Sequence, residues 1–238
     1  MISFVQPTRV LLDPLEGTRI AVEARRWLWP LLLLVACVSA SGVAFALRWN
    51  AAPAVVRQLQ SAGGLERMTE SELSEEIQNA SRKALVAGVA KGVLLMPLLT
   101  LVLAVGLWAC AWLLDRPAPF ARLWSAAALA MLPIALYHLI FTLCALAQPS
   151  LSEAQVQDLV PSSLAVLRDL GPKVARAARA VDFFNLWSAG LLGLGFSAAT
   201  GMSRGRALVL FALLYIALAG VVFVGLPGMA AAQAGGAA

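Results

Sequence analysis

Residues 92–114 read GVLLMPLLTLVLAVGLWACAWLL, 23 positions without one charged side chain. A helix that crosses a hydrocarbon core of roughly 30 Å needs about 20 such residues. Four more stretches meet that length or come close to it: 28–47, 123–147, 183–200 and 207–226. In lipid the backbone polar groups must find partners inside the chain, and uninterrupted apolar runs of this length do so as helices. The expected fold is all-α and integral to the membrane, with five transmembrane helices.

Composition agrees. The chain has 238 residues, 61% of them hydrophobic and only 13% charged, with mean hydropathy +0.81. A soluble domain carries about 25% charged residues, and a disordered one has low hydrophobicity, so both classes are excluded. The net charge of +5 comes without a basic run. Basic residues flank the apolar segments instead, which speaks for membrane orientation and not for nucleic acid. Cys37, Cys110 and Cys144 all fall inside apolar stretches, with no CxxC spacing and a single histidine in the whole chain. No metal, cofactor or disulfide framework is expected from that pattern. All seven tryptophans (Trp27, Trp29, Trp49, Trp108, Trp112, Trp124 and Trp187) lie within a few residues of a proposed helix end, where indole favours the headgroup level.

Residues 1–27 precede the first apolar run and are expected to form a cytoplasmic amphipathic segment lying on the bilayer. Asp13-Pro14-Leu15-Glu16 gives it a helix start. The five-span domain covers 28–226, with outer insertions at 48–91 and 148–182 on one face and a flexible tail at 227–238. Thr69-Glu70-Ser71-Glu72 is a capping box. No proline follows until Pro97, so a helix is expected to run from Glu70 to Leu114, roughly 67 Å at 1.5 Å per residue. Several of its turns should stand clear of the membrane. Ser150-Leu151-Ser152-Glu153 reads as a further capping box and Pro161 as the start of a second short helix. With the N-terminus inside, the inner segments hold 8 Lys and Arg in about 41 residues and the outer ones 10 in about 91. That asymmetry favours a cytoplasmic N-terminus.

Few side chains carry chemistry. His138, mid-span beside Tyr137, and Lys91, in an otherwise apolar stretch, form a candidate intramembrane polar site; Lys91 is expected to snorkel to the outer interface. A serine protease would need a hydroxyl such as Ser188 poised at His138, but Ser188 sits near a span end whereas His138 is mid-span. Leu65, Met68, Leu73 and Ile77 make an apolar stripe on a segment outside lipid. It is a candidate partner interface, with packing on Val156, Leu159, Leu164 and Leu167 as the alternative. Ala189, Gly193 and Ser197 recur every four residues, the spacing that lets membrane helices approach closely, on a neighbour in this chain or another.

Four short motifs then resemble the Yip1 domain family in its bacterial form. Val10-Leu11-Leu12-Asp13-Pro14 is similar to the family's N-terminal box. Arg26-Trp27-Leu28-Trp29-Pro30 is similar to its approach to the first span. Asp182-Phe183-Phe184-Asn185-Leu186-Trp187 resembles the acid, aromatic and Trp that lead into a Gly-rich fourth span. Gly201-Met202-Ser203-Arg204-Gly205-Arg206-Ala207 resembles the turn into the last. The motif positions are Asp13, Pro14, Pro30, Asp182, Phe184 and Trp187. The resemblance implies a non-enzymatic five-helix protein. Eukaryotic members are associated with vesicle traffic and Rab-type GTPases through an Asp-Leu-Tyr-Gly-Pro-like box, which this chain lacks; some bacterial members are associated with ABC-type export systems. The expected function is a non-enzymatic accessory or scaffold protein of the bacterial inner membrane. It would bind lipid and another integral membrane protein, with an ABC-type transporter as the concrete case. The alternative is a small transporter or lipid-handling channel.

Overall fold

The structure is a computed structural model that describes residues 5–167 and 171–225; the expected tail at 227–238 and the last residue of the fifth stretch, Leu226, lie outside them. The described residues form helices and two isolated bridges, with no strand among them. Four helices are long and apolar enough to cross a membrane: Leu28–Arg48, Glu70–Leu113, Phe120–Ala147 and Arg204–Val222. The fourth expected stretch does form a helix, Phe183–Thr200, but it is not among those four. Asn185, Ser188, Thr200 and three glycines dilute its apolar content. Leu191, Gly193, Gly195, Phe196, Ser197 and Ala199 are buried against protein, and a helix so covered needs less apolar surface than one facing lipid on all sides.

Local chemistry sets most helix ends. Thr69 Oγ1 accepts from the Glu72 N–H while the Glu72 carboxylate accepts from the Thr69 N–H, the reciprocal box that was expected. From there one helix runs 44 residues to Leu113, widened to a π-turn at Lys91–Leu95. The wide turn ends two residues before Pro97, whose ring clashes with the carbonyl of residue 93 in a regular helix. Pro133 acts likewise: the helix stops at Ala130 and resumes at Leu132. Asp13 caps the Pro14–Glu23 helix by accepting from the Glu16 N–H at 3.2 Å. The Glu16 carboxylate turns instead to Arg19, which holds it below the usual glutamate range.

Two expected starts are corrected. The second-insertion box belongs to Ser152 and Gln155, not to Ser150 and Glu153. Leu151 is buried and held extended, its N–H on Arg48 O at 2.6 Å and its carbonyl accepting from Asn50 N–H at 2.9 Å, so no helix can begin before it. Pro161 starts no helix: Ser163 is bridged to Asp182 and only a 3₁₀ turn, Leu164–Val166, follows. A helix over Ala52–Ser61, not expected from the sequence, precedes a break at Gly63, which takes φ +65°.

The chain divides into two compact units. The described residues of the first are 5–32, 99–134, 161–167 and 171–225. Its Phe183–Thr200 helix packs on Pro14–Glu23, Phe120–Ala130 and Arg204–Ala219. The core holds Val10, Val22, Leu107, Leu123, Leu129 and Phe196. The inner face of Pro14–Glu23 (Gly17, Thr18, Ala21, Val22) is thus buried on protein, which leaves only its Leu15 and Arg19 side for the bilayer. The second unit comprises Leu33–Leu98 and Ala135–Val160. In it Ala44, Phe141, Ala145 and Leu151 form a small core, with Val156, Leu159 and Val160 laid against it.

Candidate functional site

In the second unit the Leu28–Arg48 and Glu70–Leu113 helices cross on glycine. A Cβ built on Gly42 would lie 2.5 Å from Gly88 Cα, and one on Gly92 would lie 2.7 Å from Ser39 N and 3.0 Å from Val35 O. Gly88-Val89-Ala90-Lys91-Gly92 is therefore a small-xxx-small contact of the membrane type. The spacing was visible in the sequence, but the charge of Lys91 disguised it as an interfacial segment.

The crossing sets depth. The helices are antiparallel here, since Gly42 meets Gly88 and Ser39 meets Gly92. Six residues on from Gly42 stands Arg48, and six residues back from Gly88 stands Arg82, so both turn from apolar to charged at one level. Residues 84–91 accordingly lie beside the first membrane helix, and the part of the long helix free to stand clear is shorter than expected, about Glu70 to Lys83. Ser39 is nine residues before Arg48, or about 13 Å along a helix. Lys91, next to Gly92, stands about that far along the crossing from the level of Arg48. Its side chain is exposed in an open groove on its own helix, lined by Ala87, Ala90, Leu94, Leu95 and Leu98.

His138 lies in the same unit. Its Nδ1 shares a hydrogen bond with Ser41 Oγ at 2.7 Å, its ring stands edge-on to Tyr137 at 5.3 Å, and its carbonyl accepts from Thr142 Oγ1 at 2.7 Å. Ser41 also reaches Val38 O at 2.8 Å. A hydroxyl has one proton, so if it goes to Val38 the imidazole donates through Nδ1. The hydroxyl at His138 is Ser41; Ser188 Oγ is buried without a hydrogen-bond partner.

Leu65, Met68, Leu73 and Ile77 are each half-buried. The Ala52–Ser61 helix packs on Glu70–Ala90 and on the Leu65–Arg67 turn. Their proposed cover divides: Val156 and Leu159 pack on the small core above, while Leu164 and Leu167 are exposed.

In the first unit Asp182 is the N-cap of Phe183–Thr200. Its carboxylate accepts from the Asn185 N–H at 2.9 Å and from the Ser162 hydroxyl, where an anion meets the helix N-terminus. Phe183 N–H donates to Ser162 O at 2.9 Å, so the residues around Ser162 clamp the start of the helix. Phe184 is buried, and the Trp187 ring lies 5.6 Å from that of Phe183, tilted by 55°. The small-residue stripe is used within the chain: Gly193 faces Leu208 Cα, Gly195 faces Ala126, and Ser197 Oγ donates to Met202 O at 2.7 Å. Ala189 is half-buried. Asp13 and Pro14 start the helix behind them, and Pro30 is buried in the first turn of Leu28–Arg48.

These features define an all-helical, multi-pass membrane protein. The Yip1 domain family model matches residues 8–226, nearly the whole length, and the chain belongs to that family. Among curated proteins and among solved structures nothing matches the chain significantly.

Proposed function

We propose that the chain is a non-enzymatic accessory protein of the bacterial inner membrane, N-terminus in the cytoplasm, that holds or stabilises a partner integral membrane protein, an ABC-type export system being the concrete case. The observation that carries the reading is Glu70–Ala90. This helix is capped at both levels of its box, continues into a membrane helix, and buries none of its 21 residues. Its first part, Glu70 to Lys83, well capped and mostly exposed, is a docking element. The membrane interior supports the same reading, because His138 is tied to Ser41 in a packed pair and no carboxylate lies within an apolar stretch. Phe183–Thr200 supplies the fifth crossing, its polar atoms covered by neighbouring helices.

In-cell crosslinking followed by purification in a mild detergent tests it. A stoichiometric transporter with crosslinks on residues 48–91 or 148–182 is the expected result; a clean monomer or self-oligomer overturns it. Cysteines placed at Ser71 and Ser152 should label from outside intact cells, and labelling only after the membrane is opened would reverse the orientation.

A further inference from the structure

We infer that Lys91 is the docking point for a transmembrane helix of the partner, one that carries an aspartate or glutamate inside the hydrocarbon. The inference rests on the accessory reading above and adds the site and the chemistry.

The Gly42–Gly88 and Ser39–Gly92 crossing fixes Lys91 about 13 Å from the level of Arg48. With Arg48 and Arg82 at the headgroup level, a lysine stem of four carbons, about 6 Å long, does not carry the ammonium back to it. Ionisable groups at such depth are expensive and are retained where they have a partner. The chain does not offer one. Its 13 acidic residues all lie outside the apolar stretches. A second copy of this chain has the same inventory and cannot supply the missing carboxylate.

The surroundings fit a helix. Lys91 opens into an apolar groove, with Ala87 and Ala90 on one side and Leu94, Leu95 and Leu98 on the other. Small residues beside the cation let a second backbone come close enough for a short carboxylate side chain. Below it Leu94 is 68% and Leu98 56% exposed, a ready apolar contact. Because the π-turn begins at Lys91, the face it presents is offset from the Gly88–Gly92 face already occupied by Leu28–Arg48.

The test is a photoreactive benzophenone amino acid in place of Leu94, irradiated in cells that carry the full-length protein, with the adduct mapped to a peptide. The expected adduct is a membrane helix of another protein with Asp or Glu within one turn of the linked residue. Lys91→Met should lower its yield at least tenfold, Lys91→Arg should retain it, and Lys91→Glu with a Lys at the mapped acid should restore it. Thermal stability in detergent confirms that each variant folds, as expected for an exposed position. Adducts to phospholipid alone, or to a helix without a carboxylate, overturn the inference. So does a yield indifferent to Lys91→Met, even while the same partner co-purifies, which leaves the accessory reading intact. If no partner co-purifies with the native protein, that reading falls and this inference with it.

Discussion

The glycines that join Leu28–Arg48 to Glu70–Leu113 and those that join Phe183–Thr200 to its neighbours serve one purpose at different tolerances. At the first crossing glycine meets glycine: a Cβ on Gly42 would sit 2.5 Å from Gly88 Cα, and one on Gly88 2.7 Å from Gly42 Cα. Backbone meets backbone, and nothing can rotate aside. At the second, a Cβ on Gly195 would meet Ala126 Cβ at 2.7 Å, while one on Gly193 would lie 3.2 Å or more from Leu208. There the nearest obstacle to Gly195 is a methyl group, and Leu208 stands off from Gly193 far enough to give by a few tenths of an ångström. The sequence shows small residues four apart in both places, yet only one site demands glycine on both partners.

That contrast can be broken by substitution. Gly88→Ala should cost about 3 kcal/mol, the upper part of the overpacking range, read as a lowered Tm in detergent, and no single change in Leu28–Arg48 should recover it, since Gly42 is already the smallest residue. Gly195→Ala should cost about 1–2 kcal/mol, and Ala126→Gly should recover most of it. If Gly88→Ala proves as mild as Gly195→Ala, the backbone contact between Gly42 and Gly88 does not constrain the crossing. A smaller effect is expected from Ser41→Ala, about 0.6 kcal/mol, typical of hydrogen bonds between membrane helices, with the His138 ring losing its fixed orientation in NMR.

The smallest effect concerns a helix end away from both crossings. The Thr69 N–H and hydroxyl lower the Glu72 pKa below its ordinary 4.5. A carboxylate depressed in the folded state contributes above the unfolded value and loses that contribution as pH falls through the folded one. Amide exchange at the first turn of Glu70–Ala90 should therefore quicken below about pH 4.5 while Gly88 stays protected.

What was legible in the sequence was local. The Thr69 box and the long helix from Glu70 depend on neighbours within a turn or two, and each was expected where it occurs. The box at Ser152 was misread by two residues because a distant backbone, that of Arg48 and Asn50, pins Leu151 in extended form. The residues after Pro161 are extended for a similar reason, their partner being Asp182, some 20 residues away. The Lys91 site was half legible: an odd cation in an apolar run is visible in the sequence, but its depth comes from a glycine crossing with a helix some 50 residues earlier.

The π-turn at Lys91–Leu95 also solves a problem of phase. On the long helix Gly88 is half-buried, and Gly92, Met96, Thr100 and Ala104 are buried, each four residues after the last. A regular helix turns about 100° per residue, so a stripe stepping by four drifts about 40° at each step and would wind off its neighbours within a few turns. One turn wider by a residue takes out much of that drift. The turn thus works as a vernier, letting a straight stripe of small and compact residues keep facing inward along a helix long enough to have lost it. Deleting one residue between Lys91 and Leu95 should close this turn to a regular one and leave the stripe beyond it in phase, whereas a deletion in a regular turn would rotate everything beyond it by about 100°.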